Sequence, residues 1–522
     1  MPTNIIIGVG GTGAKIVESV IHTCAAGLGP EGLTVGFVDQ DQSNGNVTRS
    51  LDLLNKYVEA RRLWRAENSS NRLGEQTELL KTELRSLLPG QEVWVPHRDQ
   101  QTTLAMVLGE ASMPQEDRHL FDLLFAAGEE EQDMPLDEGY RGRPNIGAAA
   151  MTARVGEDVE FWRTLIQKIE QAKGGEDVRL VLAGSVFGGT GAAGFPTLAR
   201  LIRNQLRERR VTRNVKLGGI LMLPYFAFNA PEKEEGVQAN VARREQLLLQ
   251  SQGALKYYHN LFKDEGVFDE LYFVGWNRMF DLGYHRPGKA EQANPPLAPE
   301  LLAALGVVTF LTKEIEQEGQ NRVFVSSRQQ DDVLSWSDLP SPDPNRPDAP
   351  FERLGQMLRF ATAWLYWRPL LSQRGGFKRI FGNDPWYRVQ GLDKVDFKTA
   401  PPDAELRKLT EYLEKFLWWA ACIEHYSPSA RTRFDLWRTT PLVAQVTREE
   451  NPTDPYQIAQ ALREEAFGPA FDQVVVNHAA ADALPSASEL IRKINEQAAP
   501  GENRGLGVMV ASLHQYSHTG RA

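Results

Sequence analysis

The chain has 522 residues, 42% of them apolar, and a formal net charge of −10; that length exceeds one ordinary core, so two or three domains are expected. The acid excess sets aside a general nucleic-acid binder, and the two cysteines, Cys24 and Cys422, supply neither a disulfide framework nor a metal quartet. No apolar run reaches the ~18–20 residues of a membrane span, and the N-terminus lacks a signal-peptide pattern, so the expected location is cytoplasmic.

Asn4 to Gly8 reads as a short buried strand, with glycine-rich Gly8–Gly13 following at once and then a helix striped by Ile16, Val17, Val20 and Ile21. Residues 33–39 give a second strand that ends at Asp39. Residues 45–142 read as mostly helical between polar loops, with the acidic run Glu129–Asp133 on a solvated face. The β-branched stretch 178–183 has the pattern of a strand covered on both faces, and Leu198, Leu201, Ile202 and Leu206 stripe the helix after it. Two more parallel-type strands are expected at 217–224 and 271–276, with a long helix over 232–262 between them.

A further helix runs from about 298 to 315, and residues 339–350 then hold five prolines in twelve positions, which marks a linker. Two aromatic-rich helices, near 352–372 and 407–425, carry Trp364, Trp367, Trp418 and Trp419 as core or interface residues. Ser486 and Glu489 have the spacing of a capping box, and 506–513 reads as a strand. His514 and His518 are expected on the surface. The cluster Arg203, Arg207, Arg209 and Arg210 closes a helix, where the dipole favours cations. Strand–helix alternation makes the fold class α/β, a parallel sheet with helices on both faces.

The chemistry concentrates in two glycine turns. Gly8, Gly10 and Gly13 fit G-x-G-x-x-G between a strand and a helix, and Asp39 stands where a dinucleotide fold places its ribose acid. Glycine lets backbone N–H groups face a phosphate, and a helix N-terminus adds about half a positive charge. The turn is not a Walker loop, because lysine stands at position 15 with no Ser or Thr after it. A second turn, Gly188-Gly189-Thr190-Gly191, follows another strand. A dinucleotide site does not need it, whereas a triphosphate does, with the Thr190 hydroxyl joining the phosphate shell.

With both turns in view, the chain resembles the tubulin/FtsZ superfamily of GTPases. Gly188–Gly191 looks like the signature loop, with one extra residue within 185–187, and Gly10-Gly11-Thr12-Gly13 looks like the first phosphate loop. Residues 38–43, with Asp39 and Asp41, resemble the polar turn after the second strand, and 146–151, with Gly147, Ala148 and Ala149, the alanine-rich loop near the γ-phosphate. Residues 218–228 match the strand ending in a proline–aromatic turn, and 274–280 the strand and asparagine turn that follow. All six pieces keep the family's order.

The resemblance implies an N-terminal Rossmann-like sheet joined by a central helix to a smaller, helix-rich C-terminal α+β domain. The expected boundaries are 1–297 for the nucleotide-binding domain, 298–318 for the central helix, 319–350 for loop and linker, and 351–522 for the C-terminal domain. It implies GTP or GDP with Mg²⁺, no separate protein metal site, and head-to-tail self-association that completes hydrolysis at the subunit interface. Asn229 and Lys233 stand where the family has ribose-contacting residues, and Asn277 where it has a turn asparagine. Asp338 is the catalytic acid offered to the next subunit, Ser335 replaces its partner acid, and Asp331 and Asp332 are further candidates. The central-helix face 301–311 carries no Asp or Asn for a guanine edge, so it does not choose GTP over ATP. The long insertion and helical second half mark a divergent, prokaryotic-type tubulin-like protein. Two other readings remain: a non-hydrolysing nucleotide-binding scaffold or sensor with a protein partner at the C-terminal domain, and an NAD-dependent oxidoreductase.

Overall fold

A computed structural model describes residues 2–520, apart from 42, 66–72, 74–76, 91–92, 100, 129–130, 138, 141–142, 155–158, 212–213, 230–243, 285–292, 314–321, 329–332, 374, 382–385, 398–401, 443–466, 478–483 and 497–504. Its centre is an all-parallel sheet of β1 (Thr3–Val9), β2 (Gly32–Val38), β3 (Glu83–Ser86), β4 (Val93–Trp94), β5 (Val178–Ser185), β6 (Val215–Met222), β8 (Glu270–Trp276) and β10 (Arg322–Arg328). The strand order is β10-β8-β6-β5-β1-β2-β3, and β4 extends the pairing of β2. Every residue of β5 is buried, as its largely apolar sequence requires of a strand covered on both faces, and Arg179 within it donates to Leu311 O at 2.6 Å. β7 (Phe226–Asn229) and β9 (Phe280–Tyr284) form a separate parallel pair.

The helices before the proline stretch are α1 (Gly10–Ala25), α2 (Gly45–Arg65), α3 (Leu104–Leu108), α4 (Gln115–Leu124), α5 (Pro144–Ala153), α6 (Glu160–Glu170), α7 (Thr190–Glu208), α8 (Arg244–Glu265) and α9 (Ala298–Thr312). From β1 the chain moves to β2 on one side, and from β5 to β6 on the other. Right-handed crossovers then put α1 and α7 on opposite faces, with a topological switch point between β1 and β5. Two neighbouring glycines of β6 record both layers: a Cβ on Gly218 would meet Phe310 of α9, and one on Gly219 would meet Phe195 of α7.

After the proline stretch come α10 (Ala349–Leu371), α11 (Gly376–Phe381), α12 (Trp386–Val389), α13 (Pro402–Tyr426), α14 (Phe467–Gln473), α15 (Ala487–Glu496) and α16 (Leu506–Tyr516), with a small parallel pair of β11 (Val333–Ser335) and β12 (Arg433–Asp435). α13 lies on α1 and α2. His22 of α1 contacts the rings of Tyr412, Phe416 and Trp419, and the Trp419 indole donates to Ser19 Oγ at 3.1 Å. Arg49 of α2 lies 5.2 Å from the Trp418 ring centre. Trp364, Trp367 and Trp419 are buried, which makes them core rather than an exposed partner surface.

Several expectations need correction. Residues 45–142 are not mostly helical, since β3 and β4 add to the sheet and only α2 is long. Residues 506–513 are helical: Leu506, Met509, Val510 and Leu513 share one buried face at helical spacing, while the valines mimic a strand. His514 is buried, not on the surface. Arg203 is also buried, donating to Val267 O at 2.7 Å and to Asp269 at 2.9 Å, so it clamps a loop instead of only closing a helix. Residues 322–328 lie within the expected linker but form the edge strand β10. Part of the helix expected at 232–262, and residues Glu129 and Glu130 of the acidic run, lie outside the described residues.

Trp419→Ala removes a fully buried ring and its hydrogen bond to Ser19. It is expected to lower unfolding free energy by about 3–5 kcal/mol in denaturant titration.

Candidate functional site

The carboxyl ends of the parallel strands share one edge, and at the switch point the two glycine turns meet there. α1 begins at Gly10 and α7 at Thr190, so both turns include the first residues of a helix. Gly10 has φ +72°, and a Cβ there would stand 2.9 Å from the Gly191 amide nitrogen. A Cβ on Gly13 would stand 2.4 Å from the Ala183 carbonyl oxygen of β5. Only glycine permits both approaches. No side chain caps either helix: Val9 and Gly189 occupy the N-cap positions. Two sets of first-turn N–H groups with positive dipole ends therefore lie side by side, a donor set that suits a phosphate chain. Gly188, at φ +85°, borders open space, where an added Cβ would meet no atom within 4 Å.

Asp39 ties the second glycine turn to the polar turn after β2. Its Oδ1 accepts from Thr190 Oγ1 at 3.0 Å and from the Asp41 amide at 3.1 Å, while Oδ2 accepts from Asn44 Nδ2 at 3.1 Å. The carboxyl is only 2% exposed. Burial pushes its pKa up to about 7, against the lowering effect of the Asp41 amide and the Thr190 hydroxyl. Asp41 Oδ1 accepts from the Ser43 amide at 3.0 Å and from its hydroxyl at 3.1 Å, which closes the polar turn. Asn44 and Asn46 stand over Gly11, each with Nδ2 3.0 Å from where its Cβ would lie. Asn46 Oδ1 also accepts from the Asn294 amide at 2.8 Å, just ahead of α9.

A buried polar group lies behind α1. Lys15 pairs with Glu300 of α9, and both are essentially without solvent exposure. Glu300 also accepts from the Tyr225 hydroxyl and, at 2.8 Å, from the Leu297 amide. Thr12 reaches the same Tyr225. Burial pushes the Lys15 ammonium pKa down and the Glu300 carboxyl pKa up, while each partner opposes the shift of the other. The group links the first glycine turn to the central helix. Sequence reading missed it, although Glu300 is the one charged side chain between positions 297 and 312.

The structure gathers Gly10, Gly11, Thr12, Gly13, Asp39, Asp41, Gly189, Thr190 and Gly191 into this one edge. Gly147, Ala148 and Ala149 belong to α5 and not to a loop. A Cβ on Gly147 would stand 2.5 Å from Ala193 Cβ, so this glycine lets α5 pack onto the first turn of α7. Asn277 is exposed after β8, three strands from β1, a span of roughly 14 Å at ~4.8 Å per strand. Asn229 ends β7, its side chain lying outside the described residues together with Lys233, Asp331 and Asp332. Asp338 is exposed on the C-terminal side, where it accepts from the Ser335 amide at 2.7 Å and its hydroxyl at 3.0 Å. It therefore caps a short turn. Among the described residues no group of three or more His, Cys, Asp or Glu is placed to hold a metal ion. No described helix is long and apolar enough to cross a membrane.

These features define a doubly wound α/β domain with paired glycine turns at its switch point. Residues 5–244 match the model of a family described as tubulin-like, which supports placing this stretch in the tubulin/FtsZ superfamily. A comparison with curated proteins finds no match.

Two measurements test the site's electrostatics. The folded-state pKa of Asp39 is raised, so its contribution to stability is present below the unfolded value near 4 and is lost as pH rises through about 7. Ligand-free wild type is expected to lose more melting temperature than Asp39→Asn between pH 5 and pH 8; parallel curves contradict the assignment. Lys15→Met leaves Glu300 buried and unpaired, with an expected loss of about 3–5 kcal/mol, and Lys15→Met/Glu300→Gln is expected to recover most of it.

Proposed function

We propose that the protein binds a guanine nucleoside triphosphate across the two glycine turns and assembles head to tail, with hydrolysis at the subunit interface. The observation that carries this reading is the contact between Gly10 and Gly191, which lets two uncapped helix N-termini address one polyanion. In this reading amides of Gly10–Gly13 and Gly188–Gly191 hold the phosphates. Thr190 and Asp39 fix the gap between the turns, and Gly147, Ala148 and Ala149 place α5 beside the phosphate end. Asn229 and Asn277 would contact the ribose and base. Mg²⁺, when bound, would neutralise charge on the phosphate oxygens; Asp41 is the nearby carboxylate offered to its water shell. The expected division of the chain stands as part of this proposal, with Arg322–Arg328 reassigned to the sheet.

Catalysis would then consist of positioning and charge stabilisation. The exposed Asp338 would meet the neighbouring subunit's nucleotide and orient the attacking water, a head-to-tail contact that gives rings or open filaments. A second reading, a non-hydrolysing scaffold or sensor, is favoured by the capping role that already occupies Asp338. The oxidoreductase reading loses support because the Asp39 carboxyl is engaged by Thr190 and Asn44 rather than presented to a ribose.

Gly189→Asp separates the site from the fold. Aspartate suits a helix N-cap, so stability is expected to hold or rise by ~0.5–1 kcal/mol, while the new charge repels phosphate. Mass identification is expected to find a guanine nucleotide with wild type and none with the variant. No nucleotide in either, even with millimolar GTP added, contradicts the site. GTPase rate is expected to rise more steeply than linearly with protein concentration; a strictly linear rate contradicts the shared interface, and no turnover of bound GTP selects the scaffold reading.

A further inference from the structure

A cavity of about 420 Å³ opens far along the chain from the glycine turns, between the start of α10, the face of α15 and the tail after α16. This volume is in the range of small-ligand sites. Its charge opposes that of the whole chain: Arg346, Arg353 and Lys493 line it against the single acid Glu352. Arg346 is paired with that Glu352. Among the described residues Arg353 has one distant ion pair, 3.8 Å from Glu78, a carboxylate that also serves Lys81 at 3.3 Å. Lys493 makes no ion pair among the described residues.

A further cation lies in the core behind the cavity, with the charges of Asp472 and Glu489 acting on it. Arg359, two turns further along α10, is fully buried with its guanidinium carbon 3.9 Å from the Phe471 ring centre. One of its nitrogens donates to Pro485 O, while Nε and Nη1 find no partner among the described residues. The charges of Arg359 and Lys493 both act on His518, which lines the cavity. His518 Nδ1 accepts from the Gly520 amide at 3.0 Å, so the neutral ring carries its hydrogen on Nε2 as a donor. A cleft with an excess of one sign of charge, between low-dielectric walls, concentrates counter-ions.

We propose that this cavity is a second ligand site that takes a small, multiply charged oxyanion, a phosphorylated or polycarboxylate metabolite, held by Arg353, Lys493 and His518. The site is independent of the glycine turns, so it stands whether or not the nucleotide reading holds.

Nuclear magnetic resonance of the histidine rings in the full chain provides the test, with His518 assigned by its loss in His518→Gln. Burial, with Lys493 and Arg359 adding and Glu489 opposing, holds the His518 pKa low. Pyrophosphate and citrate serve as separate probes at low salt. At saturation the His518 resonance is expected to move and its pKa to rise by about one unit. Lys493→Glu is expected to weaken binding about tenfold or more, and Lys493→Gln by a smaller factor. A response to pyrophosphate alone assigns phosphorylated ligands, to citrate alone polycarboxylates, and to both a site read by charge. A His518 signal that neither probe moves overturns the proposal, as does unchanged affinity in Lys493→Glu.

Discussion

The close approach of Gly10 to Gly191 is the constraint on which the rest of the site depends. Two strands adjacent in the sheet but far apart in the chain end at the same edge, and the helices after them leave on opposite faces. Their first turns touch only because neither residue carries a side chain. A methyl group at position 10 would meet a backbone nitrogen that cannot yield like a flexible side chain. The result is a concentration of N–H donors and dipole charge that neither turn supplies alone. Asp39 adds a buried carboxyl that holds Thr190 and leans toward protonation in that dry setting.

The same contact explains why the central helix belongs to the site. Thr12 and Lys15 lie on the helix that opens at Gly10, and they reach Tyr225 and Glu300. Glu300 is at the start of α9, whose body covers β6 and β8, and the back of α1 is covered by α13 through His22, Ser19 and Trp419. A buried ion pair contributes little net stability but is intolerant of losing one partner. That makes Lys15 and Glu300 suited to fixing the register between α1 and α9.

Much of this was legible in the residues. The strands at 4–8, 178–183 and 217–224 announce themselves as largely apolar runs, and the glycine turns follow from spacing alone. The features that escaped depend on distance across the fold. Asn44, Asn46 and Glu300 look like ordinary polar residues until the sheet brings them beside Gly11 and Lys15. Residues 146–151 read as a loop by resemblance, yet their small side chains serve helix packing against Ala193. Short β3 and β4 have little pattern of their own and are strands because β2 offers an unpaired edge. The valine-rich 506–513 has the composition of a strand but is helical, because β propensity yields to a buried helical face.

Glycine-selective amide resonance during titration with a slowly hydrolysed guanosine triphosphate analogue tests the central claim most directly. The account predicts that amides of Gly10, Gly11 and Gly13 shift together with those of Gly188, Gly189 and Gly191, all along one saturation curve. Shifts confined to one turn, or two curves with different midpoints, would contradict a single polyanion held by both.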